Sequence, residues 1–378
     1  MGAVSIRQVQ SKQERKAFIR FAWRVYGAEP ELARNWVPPV VDDYMKTLDT
    51  ERFPLYDHAE LAMFTAWRDG EMVGTIAAVH NRRHNEVHED KVGFWGFFEC
   101  IHDQVVANAL FDAAASWLRK RGLDTMRGPV SPSMNDQCGM LTRGYDSPPV
   151  FLMLYNPPWY NDLVMGYGHR VGQELLAWYI DQELIDIGRL RRIAEHVMKR
   201  EQLRVRILDM KAFDRDIAII RDLYNKAWEK NWGFVPMTDR EFDFLAKSLK
   251  PIANPHYIYF VEDASGRTVG FSLSLPDINQ ALKHVNGNPF TPWGLLKYWW
   301  YGRKISLVRT LVMGVLPEYR NKGVDSVLNA WIADYGGKHG VFASEMSWVL
   351  KSNEAMSRLA KVIGGKPYKE YVIYEASI

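Results

Sequence analysis

VLPEYRNKGVD, Val315 to Asp325, decides the fold because it has the composition of a phosphate-binding turn. An apolar strand leads into it and an amphipathic helix follows it. Gly323 would leave backbone N–H groups uncovered at the start of that helix, where unpaired donors and the helix dipole attract an anion. Arg320 and Lys322 add positive charge, whereas Asp325 puts a carboxylate into the first turn. The stretch therefore predicts an anion site with one unfavourable group.

Length and composition narrow the class of protein. With 378 residues and 47% apolar content, the chain is expected to form about two globular domains. A net charge of +3 without a polybasic block argues against nucleic-acid binding. The start of the chain lacks the apolar core of a signal peptide, so we expect a cytoplasmic protein. Cys100 and Cys138 lack zinc spacing and are interpreted as structural, and no metal is expected.

The two halves of the chain repeat each other. At an offset of 196 residues, Asn35, Trp36, Phe64, Gly70, Val73 and Gly74 match Asn231, Trp232, Phe260, Gly266, Val269 and Gly270. At an offset of 218, Gly96, Gly122 and Asn135 match Gly314, Gly340 and Asn353. The matched residues lie in matched patterns, and such self-similarity indicates a duplicated structural unit.

Each copy has the same predicted order of elements. A hairpin (62–79 and 257–275) is followed by a long strand, an amphipathic helix, a strand, a second helix and a closing strand. The apolar faces of the first helices are predicted from Val105, Ala109, Ala113 and Trp117 in one copy, and from Val324, Leu328, Trp331, Ile332 and Tyr335 in the other. This order predicts two α+β domains, residues 1–182 and 183–378, with an aromatic insertion at about 276–304 in the second.

The second copy resembles the GNAT acyltransferase superfamily, in which a strand ending in V-x-P-x-x-R leads into a Gly-containing turn and a helix. Val315, Pro317, Arg320 and Gly323 match this motif. The resemblance implies two tandem GNAT-like domains, each a mixed, mainly antiparallel sheet flanked by helices, with acyl-CoA as co-substrate. It also implies a set of CoA-binding residues: Met313, Gly314 and Val315 beside the pantetheine arm, Arg320, Asn321, Lys322, Gly323, Val324 and Asp325 around the diphosphate, and Asn353 opening the next helix.

The sequence departs from the family pattern at three places. Asp325 replaces a small residue, and we expect its side chain to turn aside and cap a neighbouring N–H group. The tyrosine that usually acts as the acid in this superfamily has no counterpart at the expected spacing. The corresponding turn of the first copy, 99–108, has neither glycine nor a cluster of cations. We therefore expect one acyl-CoA site, in the second copy.

Aminolysis of a thioester needs a group that takes a proton from the amine. Glu345, on a predicted strand among apolar neighbours, and Glu99, on a strand of the first copy, are the catalytic candidates. The alternative for each is a structurally paired carboxylate. Asn135 and Asp136 lie in a polar loop, 128–141, that either lines a substrate cleft or caps a helix.

The aromatic insertion gives information about the amine that accepts the acyl group. Trp293, Trp299 and Trp300 lie close to basic residues, a combination typical of membrane interfaces and suited to a lipid amine. The alternative is that these rings seal the interface between the two copies. The insertion therefore allows, but does not require, peripheral contact with the inner membrane.

Over most of its length the chain also resembles the bacterial ceramide synthase group, through the segments 155–160, 320–325 and 345–353. This resemblance implies transfer of an acyl group to a sphingoid base, and it adds Tyr155 and Tyr160 to the acceptor-binding candidates. Asp325 is usual in that group. Two alternatives remain open: an acyltransferase that acts on an amino acid, a peptide or another small soluble amine, and a non-catalytic sensor that binds acyl-CoA.

Overall fold

A computed structural model describes residues 2–228 and 231–378. Its strands are β1 (Ser5–Gln8), β2 (Ala59–Arg68), β3 (Glu71–Asn81), β4 (Val92–Cys100), β5 (Thr125–Gly128), β6 (Val130–Ser131), β7 (Gln137–Cys138), β8 (Met140–Arg143), β9 (Arg170–Asp181), β10 (Arg204–Ile207), β11 (Ile258–Glu262), β12 (Thr268–Pro276), β13 (Leu307–Val315), β14 (Ala343–Leu350) and β15 (Lys366–Ser377). Its α-helices are α1 (Lys12–Arg20), α2 (Ala22–Gly27), α3 (Pro30–Asn35), α4 (Val41–Thr47), α5 (Arg82–His88), α6 (Gln104–Arg119), α7 (Trp159–Gly166), α8 (Ile187–Arg200), α9 (Phe213–Trp228), α10 (Asp239–Leu249), α11 (Asn279–Leu282), α12 (Pro292–Gly302), α13 (Val324–Trp331) and α14 (Glu354–Val362).

The chain forms two compact units. The first unit comprises the residues up to Leu175 together with Asn279–Arg303 and Lys369–Ile378. The second unit comprises Leu176–Ile278 and Lys304–Tyr368. The aromatic insertion, although it follows β12 in the chain, therefore packs as part of the first unit.

Both units contain the same ladder of five strands. In the first unit β1, β2, β3 and β4 pair antiparallel in that order, and β4 pairs parallel with β5. In the second unit β10, β11, β12 and β13 pair antiparallel, and β13 pairs parallel with β14. The α+β repeat that the sequence predicts is confirmed, as is the mixed, mainly antiparallel sheet of each copy.

A repeated glycine explains why the long helix of each unit can lie close to its sheet. A Cβ atom on Gly74 would come within 2.7 Å of the Leu110 side chain on α6, and one on Gly270 within 2.9 Å of Val324 on α13. Such distances do not occur between well-packed atoms, so any side chain at either position would push the helix outward. The glycine match at an offset of 196 thus reflects one packing requirement that both units share.

The predicted apolar face of α6 is wrong. Val105 is 63% exposed, whereas the buried side of the helix is formed by Val106, Ala107, Leu110, Phe111, Ala114, Ala115 and Leu118. Alanine is apolar enough to fit either face, so the four-residue spacing selected the wrong one. In α13 the prediction is correct for Val324 and Leu328, which are fully buried.

In each unit the two parallel strands pair over only part of their length. β13 pairs with β14 from Leu307 to Thr310, and no pairing to β14 is formed by residues 311–315. β4 pairs with β5 only over Val92, Gly93 and Phe94. Each pair of strands therefore diverges, and the second half of β13 presents a backbone edge without a strand partner on that side.

Candidate functional site

The turn before α13 has the backbone shape that the sequence predicts. Asn321 and Gly323 have positive φ values of 62° and 88°, which is the left-handed region that asparagine tolerates and glycine adopts without strain. Gly323 is the N-cap of α13 and supplies no side-chain cap. In the described part of the chain, the N–H groups of Gly323, Val324 and Asp325 have no hydrogen-bond acceptor. They form a set of unused donors at the positive end of the helix dipole.

Helix α8 holds this turn in place. The Arg200 side chain donates a hydrogen bond of 2.8 Å from Nη2 to the carbonyl oxygen of Lys322. A Cβ atom on Gly323 would lie 2.9 Å from the Val197 side chain, so α8 packs directly against the glycine. Gly323 is thus required twice, for its φ value and for the close approach of α8. The donors that it exposes are fixed in position before any ligand arrives.

Two cations of the turn lie at the surface, Arg320 exposed and Lys322 partly exposed. Lys322 Nζ is 4.5 Å from the centre of the Tyr319 ring and 3.9 Å from a carboxylate oxygen of Glu201, a distance at the limit of an ion pair. Arg320 lies on the surface next to it. Two positive charges therefore flank the unused donors.

The expectation that Asp325 caps a neighbouring N–H group is wrong. Its backbone carbonyl accepts a 2.8 Å hydrogen bond from Asn329, but its carboxylate makes no hydrogen bond or ion pair among the residues that the structure describes. The carboxylate is partly exposed and sits in the first turn, where the dipole favours it. The N–H groups around it are consequently left unbonded.

The equivalent helix of the first unit is closed to an anion. Asp103 is the N-cap of α6, and its carboxylate accepts hydrogen bonds of 2.9 Å and 3.2 Å from the N–H groups of Val105 and Val106. Arg68 donates to the other carboxylate oxygen at 2.7 Å, and together these contacts lower the pKa of Asp103 below its usual value. The protein's own carboxylate thus takes the place of a bound anion, and this explains physically why the first copy lacks the glycine turn.

The predicted pantetheine-binding strand lies beside the open turn. Met313, Gly314 and Val315 belong to the part of β13 that has no pairing to β14. On that edge every second residue presents its N–H and C=O groups away from β12. Asn353 is the N-cap of α14, and its side chain accepts a 3.1 Å hydrogen bond from the Met356 N–H group. The predicted CoA-binding residues therefore all lie in the second unit, on strand β13 or at the start of a helix.

Glu345 lies on β14 next to the point where β13 and β14 diverge. It is fully buried, and the Tyr368 hydroxyl group donates a hydrogen bond to its Oε2 atom. Arg309 is its direct register partner on β13, and Arg309 Nε donates to the Ser347 hydroxyl group at 2.9 Å. Because side chains alternate across a strand, Glu345 and Ser347 share one face of the sheet. Buried polar groups therefore surround the Glu345 carboxyl group.

The opposite face of the same strands carries a small pocket with both apolar and polar side chains in its lining. Thr310, Ser344 and Met346 contribute to it from the sheet. The helices and loops that cover it supply Ile180, Gln182, Ile185, Leu190, Asn329, Ile332, Ala333 and Ile363. The sheet therefore separates this pocket, on the side of α13, from Glu345 on the other side.

In the first unit, Glu99 is held by a tyrosine. The Tyr160 hydroxyl group donates to Glu99 Oε2 at 2.7 Å and accepts from the Cys100 N–H group at 2.8 Å. Burial raises the pKa of Glu99 to about 8, against the lowering effect of the Tyr160 hydrogen bond. At neutral pH most of this carboxyl group is protonated, so it can donate a proton more readily than it can accept one.

The other acceptor-binding candidates also lie in the first unit. Tyr155 is 9% exposed, and its hydroxyl group donates to the Tyr145 carbonyl at 3.1 Å. Asn135 and Asp136 lie in a turn where the Ser133 hydroxyl group donates to the Asp136 carboxylate and accepts from the Asn135 N–H group. No helix begins there, so the helix-cap alternative for Asn135 is wrong. Trp293, Trp299 and Trp300 lie on α12 and are 75%, 57% and 53% exposed.

Sequence reasoning missed two residues of the second unit. Tyr368 was overlooked because its contact with Glu345 joins β15 to β14 across 23 positions. Arg309 was overlooked because a basic residue on a strand gives no sign that it is only 5% exposed. Arg309 lies opposite Glu345 because of the register between β13 and β14, which the sequence does not show. Among the described residues, no cluster of His, Cys, Asp and Glu could hold a metal ion.

Two proteins of known name match nearly the whole chain. Protein YghO of Escherichia coli strain K12 is 33% identical over 381 residues, which cover 99% of this chain and 95% of that protein. The bacterial ceramide synthase of Caulobacter vibrioides is 32% identical over 385 residues, 99% of this chain and 98% of that protein. No protein-family profile matches the chain.

Solved structures agree on the fold. The tandem GNAT protein from the clavulanic acid biosynthesis pathway superposes with a TM-score of 0.58 at 12% identity, covering 99% of this chain and 98% of that chain. A GCN5-related N-acetyltransferase from Sphaerobacter thermophilus gives a TM-score of 0.53 at 13% identity, over 99% and 95% of the two chains. The relatives that match nearly the whole chain show that it belongs to the family of protein YghO and the bacterial ceramide synthase, and the solved structures show that its fold is the tandem GNAT fold.

Proposed function

We propose that the protein transfers an acyl group from acyl-CoA to the amine of a sphingoid long-chain base. The observation that carries the proposal is the open N-terminus of α13, where unused N–H donors and two cations lie beside the free edge of β13. A diphosphate at the turn would direct the pantetheine arm along Met313, Gly314 and Val315. Asn353 caps the neighbouring helix and is the last member of the proposed donor site.

The chemistry that we propose follows from the two faces of the diverging strands. The thioester would lie in the gap after Thr310, where free N–H groups of β13 can donate to the carbonyl oxygen as negative charge develops on it. The acceptor amine would approach from the face that carries Glu345. As the nitrogen attacks, the C–N bond forms and the C–S bond breaks. The proton lost by the nitrogen passes to Glu345 and then to the departing sulfur, giving an amide and free CoA.

Glu345 is our choice for the base, and Tyr368 for the group that positions it. The Tyr368 hydroxyl group donates to only one of the two carboxylate oxygens, Oε2. Glu99 is the weaker candidate because it lies in the first unit, where Asp103 caps the long helix and satisfies the donors that a diphosphate would need. We therefore assign Glu99 no proton transfer in the main reaction.

The choice of a sphingoid acceptor rests on the relative named bacterial ceramide synthase, which matches this chain from end to end. Asn135, Asp136, Tyr155 and Tyr160 remain proposed acceptor-binding residues on this basis. A sphingoid base resides in a bilayer, so the proposal includes a cytoplasmic protein in peripheral contact with a membrane surface. No described helix is both long enough and apolar enough to cross a membrane.

The test is an incubation of the purified protein with long-chain acyl-CoA and sphinganine, followed by mass spectrometry of the lipid extract. We expect an N-acylated sphinganine and an equal amount of free CoA, and neither product with the variant Glu345→Gln. Turnover of acetyl-CoA with amino acids, peptides or other soluble amines, and none with sphinganine, would identify a different acceptor class. Binding of CoA without thiol release for any amine would identify a sensor and contradict the proposal.

A further inference from the structure

The helix α12 presents its apolar residues to solvent instead of to the core. Phe290 and Trp293 are 63% and 75% exposed, and Leu295 and Leu296 are each 53% exposed. Trp299 and Trp300 are more than half exposed as well. A helix at the surface of a globular protein normally buries its apolar stripe. A contiguous apolar surface of this kind marks a site of interaction.

The orientation of α12 is fixed by its inner side. With 3.6 residues per turn, Gly294, Tyr298 and Tyr301 share one side of the helix and Trp293, Leu296 and Trp300 share another. Gly294 is buried, and a Cβ atom there would lie 2.1 Å from the Asn288 carbonyl oxygen. The Tyr301 ring stacks on His284 with 3.6 Å between ring centres. Glycine at this position lets the turn at Asn288 pack directly against the first turn of α12.

The segment that carries α12 is firmly attached to the first unit. Trp23 Nε1 donates to the Asn286 side chain at 2.6 Å, and Arg20 donates to the Asn288 side chain at 3.2 Å. The Thr291 hydroxyl group caps α12 by accepting from the Gly294 N–H group at 3.1 Å. The exposed tryptophans therefore belong to an ordered helix on a fixed base and not to a loose loop.

The charged residues of the segment that carries α12 are all basic. Between Asp277 and Glu318 the sequence contains no acidic residue, whereas Lys283, Lys297, Arg303 and Lys304 carry positive charge. Lys297 and Arg303 are exposed, and the Arg303 guanidinium group lies 4.9 Å from the centre of the Trp299 ring. Tryptophan favours the boundary between headgroups and acyl chains, and basic residues beside it favour anionic headgroups.

We propose that α12 docks the protein on an anionic phospholipid bilayer by inserting Trp293, Leu296 and Trp300 below the headgroups. This inference deepens the proposed function, because it names the surface from which a lipid acceptor would be taken, and its biological role rests on that function. A bilayer fits better than a second copy of the chain, since the segment 278–317 that carries the apolar face contains basic residues and no carboxylate. Two copies facing each other would bring like charges together.

Vesicle flotation tests this proposal without any substrate. We expect the full-length protein to float with vesicles that contain phosphatidylglycerol, and less with pure phosphatidylcholine. The double variant Trp293→Ser with Leu296→Ser should lower the partition coefficient about tenfold or more, because it removes two inserted side chains. The double variant Lys297→Gln with Arg303→Gln should lower it about fivefold per removed charge, and only on anionic vesicles. Phe342→Ser, which changes another exposed aromatic residue outside α12, is the matched control and should float normally.

Three outcomes would overturn the proposal. The first is that the wild type does not float, and the second is that the Trp293/Leu296 double variant floats as well as the wild type. The third is that the wild type is a dimer in solution and this variant is a monomer, which would make α12 a subunit interface. CoA binding and the turnover of dispersed acceptor are measured in separate assays. If the protein floats normally but transfers no acyl group, the proposed function is wrong and the proposed membrane-docking surface is still supported.

Discussion

Asp103 and Gly323 are the N-cap residues of equivalent helices, and they have opposite effects on the donors behind them. Asp103 satisfies the first N–H groups of α6 with its carboxylate, and Arg68 neutralises that charge. Gly323 leaves the first N–H groups of α13 without an acceptor in the described structure. One of the two equivalent helices thus begins with unused donors, whereas a side chain satisfies the donors of the other.

The variant Gly323→Asp should convert the open turn into a closed one. Aspartate tolerates a positive φ value, and its carboxylate would cap α13 and repel a diphosphate. Gly323→Asn is the matched control, because asparagine has nearly the same shape and caps without charge. We expect CoA affinity, measured by calorimetry, to fall about tenfold or more in the aspartate variant relative to the asparagine variant, given ~1.5–3 kcal/mol for a charged hydrogen bond. An affinity in both variants equal to that of the wild type would show that the diphosphate binds elsewhere.

Removal of the cations should weaken CoA binding through charge alone. Arg320→Ala and Lys322→Ala should each lower affinity about three- to tenfold, since both side chains are at least partly exposed and solvent screens them. The loss should shrink as salt is raised. Arg24→Ala, in the first unit and paired with Glu71, is the control. If the losses persist in high salt, packing and not charge explains them.

The fold was predictable because its signals are local. The hairpins and the two long helices each lie within a short stretch, and their repetition in both halves supports their assignment. The glycine turn is equally local, although only the second copy has it. The shared glycines Gly74 and Gly270 are a good example, since one close contact between helix and strand determines both.

What could not be predicted depends on contacts between distant positions. The aromatic insertion packs with the first unit although it follows strands of the second. Tyr368 reaches Glu345 from another strand, and Arg309 is aligned with Glu345 only by the strand register. The apolar face of α6 was missed because its alanines fit either side of the helix. Pairing and packing at long range are absent from any local pattern.

The pair of Glu345 and Tyr368 predicts two different kinetic effects. Glu345→Gln removes the base and should lower kcat about a hundredfold or more, with CoA affinity unchanged. Tyr368→Phe removes only the hydrogen bond that orients the carboxylate, so it should lower kcat less and shift the pH dependence of kcat. A pH profile of single-turnover rates separates the two effects. If kcat is unchanged in Glu345→Gln, another group must be the base.

The raised pKa of Glu99 predicts how stability depends on pH. In the folded protein this carboxyl group titrates at about 8, above the ordinary value of 4.5, so between these two values the unfolded chain binds fewer protons than the folded one. The free energy of unfolding should therefore decrease as pH rises from about 4.5 to about 8, and this contribution should level off above pH 8. Glu99→Gln cannot ionise and should remove it. We expect the difference in denaturation midpoint between Glu99→Gln and wild type to grow in favour of the variant across this range. Glu71→Gln, at an exposed position, should show no such trend, and a difference for Glu99→Gln that stays constant with pH would mean that Glu99 is ionised in the folded protein.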